Sequence, residues 1–235
     1  MSAAQPVPVV NRLIDGLSPK DRNRILQRSE PVNLAFGDIL CEPHLPVRHV
    51  FFPLTGFISL VTTMAGHQPL EMGLIGNEGM LGATLALRVN TGPLRAVVQG
   101  KGTALRMTGP QLRRQLRDSP SLQRTLGRYL YVLIGQLAKT AACTHFHEVE
   151  ARLARWLLMT HDRAHADHFH LTHEYLAGML GVRRSGVTVA AGALQRRKLI
   201  SYARGEITIL DRKGLEAACC ECYEAALDDY ARLLA

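Results

Sequence analysis

The side chains best placed to do chemistry lie in residues 171–200, LTHEYLAGMLGVRRSGVTVAAGALQRRKLI. Arg183, Arg184, Ser185 and Gly186 precede an apolar set at Val187, Ala190, Ala191 and Leu194, which has helical spacing. Guanidinium groups at a helix start can fork onto a base edge or a phosphate, and a hydroxyl can contact either. Two other clusters offer metal-ligand chemistry. Cys219 and Cys222 in ACCECY stand i,i+3 and can hold a soft metal or form a redox pair. His161, His165, His168, His170 and His173, with Asp162 and Asp167, offer zinc ligands in a segment that reads as a solvated loop. Packing of a C-terminal helix explains the cysteines more simply, so no metal site and no cofactor is assigned.

The elements that position the arginines follow from local signals. Thr172 is a good N-cap for a helix with Leu176, Met179 and Leu180 inward. Gly181 falls where that helix must stop, because glycine enters the left-handed region without steric cost. KLISYARGEITILD then reads as a β-hairpin turning at Ala203-Arg204-Gly205-Glu206. Helix, turn, second helix and hairpin wing make a winged helix–turn–helix, which reads bases from the start of its second helix.

Upstream, ten glycines punctuate short β-rich runs over 31–108, such as HVFFPL, GFISLVTT, LEMGLIG, LRAVVQG and TALRM, the pattern of a sandwich, barrel or roll. Helices at roughly 10–28 and 109–117 flank it. Pro120 suits the first turn of a long helix over about 119–143. Leu126, Leu130, Leu133 and Leu137 form a seam along that helix, which either packs on the roll or pairs with a second copy. Residues 146–162, FHEVEARLARWLLMTHD, read as an amphipathic helix with Val149, Leu153, Trp156 and Leu157 inward. The fold class is therefore α+β. A roll occupies 10–118, a dimerisation helix 119–145, the winged domain 146–223 and an acidic tail 224–235.

The formal net charge is +8, which favours polyanionic partners. Its distribution says more. Residues 171–213 hold eight Lys/Arg against three Asp/Glu, whereas 214–235 hold five acids against Arg232. Positive charge thus concentrates on the helix–turn–helix and wing. No G-x-S-x-G, P-loop, H-E-x-x-H or carboxylate pairing stands out, so no catalytic residue is assigned and an enzyme is not expected. No apolar run approaches the ~18–20 residues that span a membrane, and the start, MSAAQPVPVVNRL, lacks a secretory pattern. Five cysteines without disulfide-like spacing fit reduced thiols and a cytoplasmic location.

With FFPLTGFISLV and HEVEARLARWLL, the roll, long helix and winged domain resemble the Crp–Fnr family of bacterial transcription regulators over about 12–223. The resemblance implies a homodimer on a palindromic double-stranded DNA operator, with RNA polymerase as a further partner. It also implies a sensory roll that can take a small-molecule effector. The family's recognition helix commonly carries a Glu and two Arg. Arg184 matches the first Arg, Ser185 replaces the Glu and Val189 replaces the second Arg. These three are the expected base contacts, with Arg184 on guanine O6 and N7. Thr172, Arg183, Thr188, Arg196 and Arg204 are the expected phosphate contacts.

Cyclic-nucleotide-binding members supply a Glu for the ribose and an Arg for the cyclic phosphate. In this chain the region reads NEGMLGATLALRVNTGPLRAVVQ, a degenerate pocket around Gly82, Ala83, Leu94 and Arg95. Ala83 stands at the Glu position and Leu94 at the Arg position. Arg95 is one residue on, which turns a strand side chain to the other face. The expected effector is therefore something other than cyclic AMP, or none. A metal- or redox-responsive regulator using Cys219/Cys222 or the His161–His173 cluster is the alternative.

Overall fold

The computed structural model describes residues 10–164 and 166–234. Two short helices, α1 (Arg12–Asp15) and α2 (Pro19–Arg28), open the chain, each capped by a side chain, Asn11 and Ser18. A run of antiparallel strands follows. These are β1 (Glu30–Leu34), β2 (Ile39–Cys41), β3 (His49–Pro53), β4 (Phe57–Thr62), β5 (Leu70–Ile75), β6 (Arg95–Gly100) and β7 (Gly102–Thr108). They form one sheet in the order β1-β7-β3 and another in the order β2-β6-β4-β5. Leu34, Phe51, Ile58, Leu60, Ile75, Ala96, Val98 and Ala104 share one buried cluster drawn from both sheets. The stretch between β5 and β6 is a 3₁₀ turn, Ala83–Leu87, entered through Gly82 at φ 93°.

Helix α3 (Gly109–Asp118) starts with a Thr108/Gln111 capping box, and Ser119 then caps the long helix α4 (Pro120–Phe146). Tyr129 of α4 is fully buried, and its hydroxyl donates to the Met80 carbonyl at 3.1 Å. Leu126 and Leu130 join the same core, and Leu133 packs against the strands' own cluster. Leu126, Leu130 and Leu133 of the leucine seam are therefore spent on the chain's own roll. Leu126 and Leu130 are not free to meet a second copy. One residue further round, Gly127, Tyr131, Ile134, Ala138 and Ala141 face outward at alternating spacings of four and three.

Helix α5 (Val149–Ala164) leads into the C-terminal domain. There β8 (His168–His170), α6 (His173–Leu180), α7 (Arg184–Arg196), β9 (Ile200–Ala203), β10 (Glu206–Ile209), α8 (Arg212–Ala218) and α9 (Cys222–Leu234) follow. Leu153, Leu157, Leu176, Val187, Ala190, Leu194, Ile200 and Ile207 form its core. Two expectations need correcting. The acidic stretch from residue 224 is not a separate tail: through 234 it continues α9, which lies on α4 with Lys139 paired to Asp229 and Tyr230 packed into the roll-side core. The His-rich stretch is not all loop, because β8 adds a third strand to the wing in the order β8-β10-β9.

Candidate nucleic-acid interface

The wing and the second helix of the motif are built by local chemistry. Thr172 accepts from the Tyr175 amide at 3.2 Å, and Gly181 ends α6 in the left-handed region at φ 63°. At the tip of the β9–β10 hairpin Arg204 and Gly205 both have positive φ, 52° and 85°, the pair a type I′ turn requires. The wing is tied to α7 by side chains. His173 stacks on Tyr202 with centroids 4.3 Å apart, and its Nδ1 lies 2.9 Å from the Thr188 hydroxyl. Burial and the neighbouring Arg184 charge hold the His173 pKa below the usual imidazole value, so the contact favours a neutral ring.

This framework presents one open face. Arg183, Arg184, Ser185, Thr188, Val189, Arg196 and Arg204 are all exposed, as is Thr172. Val189 is 70% exposed, an apolar side chain left in water on the outer face of α7. Arg183, Arg184, Arg196 and Arg204 take part in none of the ion pairs among the described residues. Thr188 is less free than its exposure suggests, because its hydroxyl also lies 3.1 Å from the Arg184 carbonyl.

The roll holds a cavity of about 220 Å³ against α4. Gly82, Ala83 and Leu94 line it, with Leu60, Leu81, Leu133 and Leu137; its lining has no Arg, Lys, Asp or Glu. Arg95 is not part of it. Its Nε pairs with Glu42 at 2.8 Å, so its inclusion among the pocket residues is corrected. The one-residue displacement does turn the guanidinium away.

Among the described residues the two metal-ligand clusters read from sequence do not assemble as read. His161 pairs with Asp167 at 2.6 Å, and His168 and His170 share Glu206, both at 2.7 Å; His165 lies outside the described residues. The Cys219 thiol turns to the Glu216 carbonyl at 3.1 Å. Of the named cysteine pair only Cys222 joins a converging set, and sequence reasoning missed its partners: Cys143, His147, Cys220 and Cys222 meet at the end of α4. The available signal was Cys143 and His147 at i,i+4 on one helix face, paired with a C-x-C link.

Comparison with known proteins agrees with this architecture. Residues 151–218 match the Crp-like helix–turn–helix domain family. FixK2 from Bradyrhizobium japonicum is similar over 82% of this chain and 98% of its own, with TM-score 0.68 and 13% identity. A Crp/Fnr-family transcriptional regulator from Thermus thermophilus is similar over 83% and 98%, with TM-score 0.66 and 22% identity. The protein has the Crp–Fnr regulator fold. The c-di-GMP-responsive regulator CLP of Xanthomonas campestris shares it, at TM-score 0.65 and 15% identity over 82% of this chain and 99% of its own. No curated protein sequence matches the chain. None of its helices is long and apolar enough to cross a membrane, among the described residues.

Proposed function

We propose that this Crp–Fnr-fold protein is a cytoplasmic, homodimeric, sequence-specific DNA-binding regulator of transcription. The observation that carries the reading is the open face at the start of α7, where unpaired arginines flank a bare Ser185 and Val189. Water solvates those charges in the free protein, and phosphates and base edges replace it in a complex. Arg184 reads a guanine, Ser185 contacts a base or phosphate, and Val189 meets a thymine methyl. Thr172, Arg183, Thr188, Arg196 and Arg204 hold the backbone, and RNA polymerase is the further partner. Selection of bound duplexes from a random pool tests this. An enriched palindrome whose binding weakens steeply with salt is expected; a pool that stays random overturns it.

Dimerisation is placed on the outward stripe of α4, Gly127, Tyr131, Ile134, Ala138 and Ala141, whose spacing matches a coiled-coil seam. Tyr131 and Ile134 are 63% and 62% exposed in the single chain. Ile134→Glu should give folded monomers by sedimentation. A folded variant that remains dimeric places the interface elsewhere. The cavity lining favours an apolar effector over a cyclic nucleotide, whose phosphate would find no guanidinium there. Because Leu133, Ile134 and Leu137 line it, an occupant would touch the helix assigned to dimerisation.

A further inference from the structure

Four donor side chains from distant parts of the chain meet where the roll and central helix hand over to the DNA-facing domain. Cys143 lies in the last turn of α4, and His147 is its C-cap. Cys220 sits in the link between α8 and α9, and Cys222 opens α9. Their ligand atoms all lie within 4.8 Å of one another. Cys143 and Cys220 Sγ are 3.5 Å apart, and Cys222 Sγ is 3.7 Å from His147 Nδ1. A tetrahedral zinc with metal–sulfur bonds of about 2.3 Å and metal–nitrogen bonds of about 2.0–2.1 Å needs ligand–ligand edges of roughly 3.5–3.8 Å. Both measured separations already have that length.

The surroundings also suit an ion. All three thiols are buried, in a small cluster of their own apart from the apolar cores. His147 Nε2 lies 3.1 Å from the Glu221 carboxylate, which fixes the ring with Nδ1 toward the thiols. A carboxylate holding the far nitrogen of an imidazole is the usual support of a metal-bound histidine. Three thiolates around a divalent ion leave one negative charge, and buried Arg155, its Nε unpartnered, lines the same small pocket as Cys143. Thiols packed only to fill space would need neither the oriented imidazole nor the guanidinium. A multinuclear iron–sulfur cluster spreads its thiolates over several irons and needs them farther apart.

We propose that Cys143, His147, Cys220 and Cys222 form a mononuclear tetrahedral site for a zinc-class divalent cation. On binding, the three thiols release their protons to solvent and the imidazole keeps its Nε2 proton on Glu221. The ion clamps the α8–α9 link to the end of α4, beside the start of α5. It thereby fixes the angle at which the C-terminal domain leaves the central helix. The site stands on donor geometry alone and is independent of whether the protein binds DNA.

The test uses the reduced, chelator-treated full chain, with Co²⁺ as the probe and Zn²⁺ as competitor. One equivalent of Co²⁺ should give the intense visible bands of a tetrahedral ion with thiolate charge transfer, and Zn²⁺ should bleach them. Cys220→Ser should abolish the bands and Cys219→Ser should preserve them. Glu221→Gln should weaken binding about 10–100-fold while leaving the spectrum tetrahedral. A reduced wild-type chain that gives only a weak octahedral spectrum overturns the proposal, and needs no variant to fold. Equal loss in Cys219→Ser and Cys220→Ser overturns it too. So does a chain that takes up no metal when reduced but forms a Cys143–Cys220 disulfide on oxidation.

Discussion

On α5, Arg152, Arg155 and Arg163 are less than one-tenth exposed, whereas on α7 and the wing Arg183, Arg184, Arg196 and Arg204 stand in water. The buried set is engaged with the protein. Arg163 meets Glu78 through Nε at 2.9 Å and donates to the Met159 carbonyl, and Arg152 donates to the Leu180 carbonyl at the end of α6. The exposed set has no acidic partner among the described residues. The contrast follows from solvation: a cation withdrawn from water needs acceptors within the protein, a carboxylate for Arg163, a carbonyl for Arg152 and a hydroxyl for Arg155, while a solvated one can wait for a ligand. One residue type thus serves two ends. Of the α5 arginines, Arg163 ties the helix to the roll, Arg152 to the end of α6 and Arg155 to α4, and the others supply the surface assigned to DNA.

Breaking the buried side should have the largest effect. Glu78 and Arg163 have side chains 13% and 9% exposed and join the turn after β5 to α5. Arg163→Ala strands the Glu78 carboxylate and should cost about 3–5 kcal/mol in chemical unfolding. Gly76 belongs to the same arrangement, since a Cβ there would sit 2.5 Å from Arg163 Cγ. If Arg163→Ala unfolds like wild type, the pair is not what fastens the domains.

A second junction group sharpens the contrast through pH. Glu71 of β5 accepts from Ser59 at 2.6 Å and from Trp156 of α5 at 2.8 Å. Burial still outweighs those bonds and pushes its pKa up to about 7. The folded chain therefore keeps a proton that the unfolded chain releases near 4.5. Stability should be greatest below that value, fall as pH rises toward 7, and level off above it. In Glu71→Gln this part of the pH slope should vanish. A slope unchanged between pH 4.5 and 7 would show that another group titrates there.

How much of this was legible depends on the range of the forces involved. Caps and turns act within a few residues, so Thr172, Gly181, Pro120 and the Arg204–Gly205 turn announced their elements directly. Along α4 the leucine stripe carries the stronger apolar signal, but the roll claims Leu126 and Leu130. The outward stripe contains Gly127, Ala138 and Ala141, whose small side chains carry little hydrophobic signal. Burial of Arg163 depends on Glu78, 85 residues away, and the thiol cluster on a contact across 77 residues. No local window contains either partner. The open cationic face was readable because exposure along an amphipathic helix such as α7 follows from periodicity alone.

On the exposed side the effects are smaller and appear in binding. Arg184→Ala should cost about 1–3 kcal/mol of discrimination and relax preference at one position per half-site. Equal weakening on operator and scrambled duplexes would make Arg184 a phosphate clamp.

The smallest effect belongs to the wing tip. Arg204 occupies a left-handed position beside Gly205, so an alanine there would confuse the missing charge with turn strain. Arg204→Asn avoids this, because asparagine tolerates that backbone better than most residues. With its side chain in solvent at the hairpin tip, Arg204 can reach a phosphate but enters no groove by itself. The variant should weaken all duplexes by a similar factor. The slope of log affinity against log salt should fall by about one, the share of a single neutralised phosphate. Operator preference should remain as in wild type. An unchanged salt slope would remove the wing from the interface. A changed sequence preference would move Arg204 from the phosphate contacts to the base readers, and the division between Arg184 and Arg204 would fall.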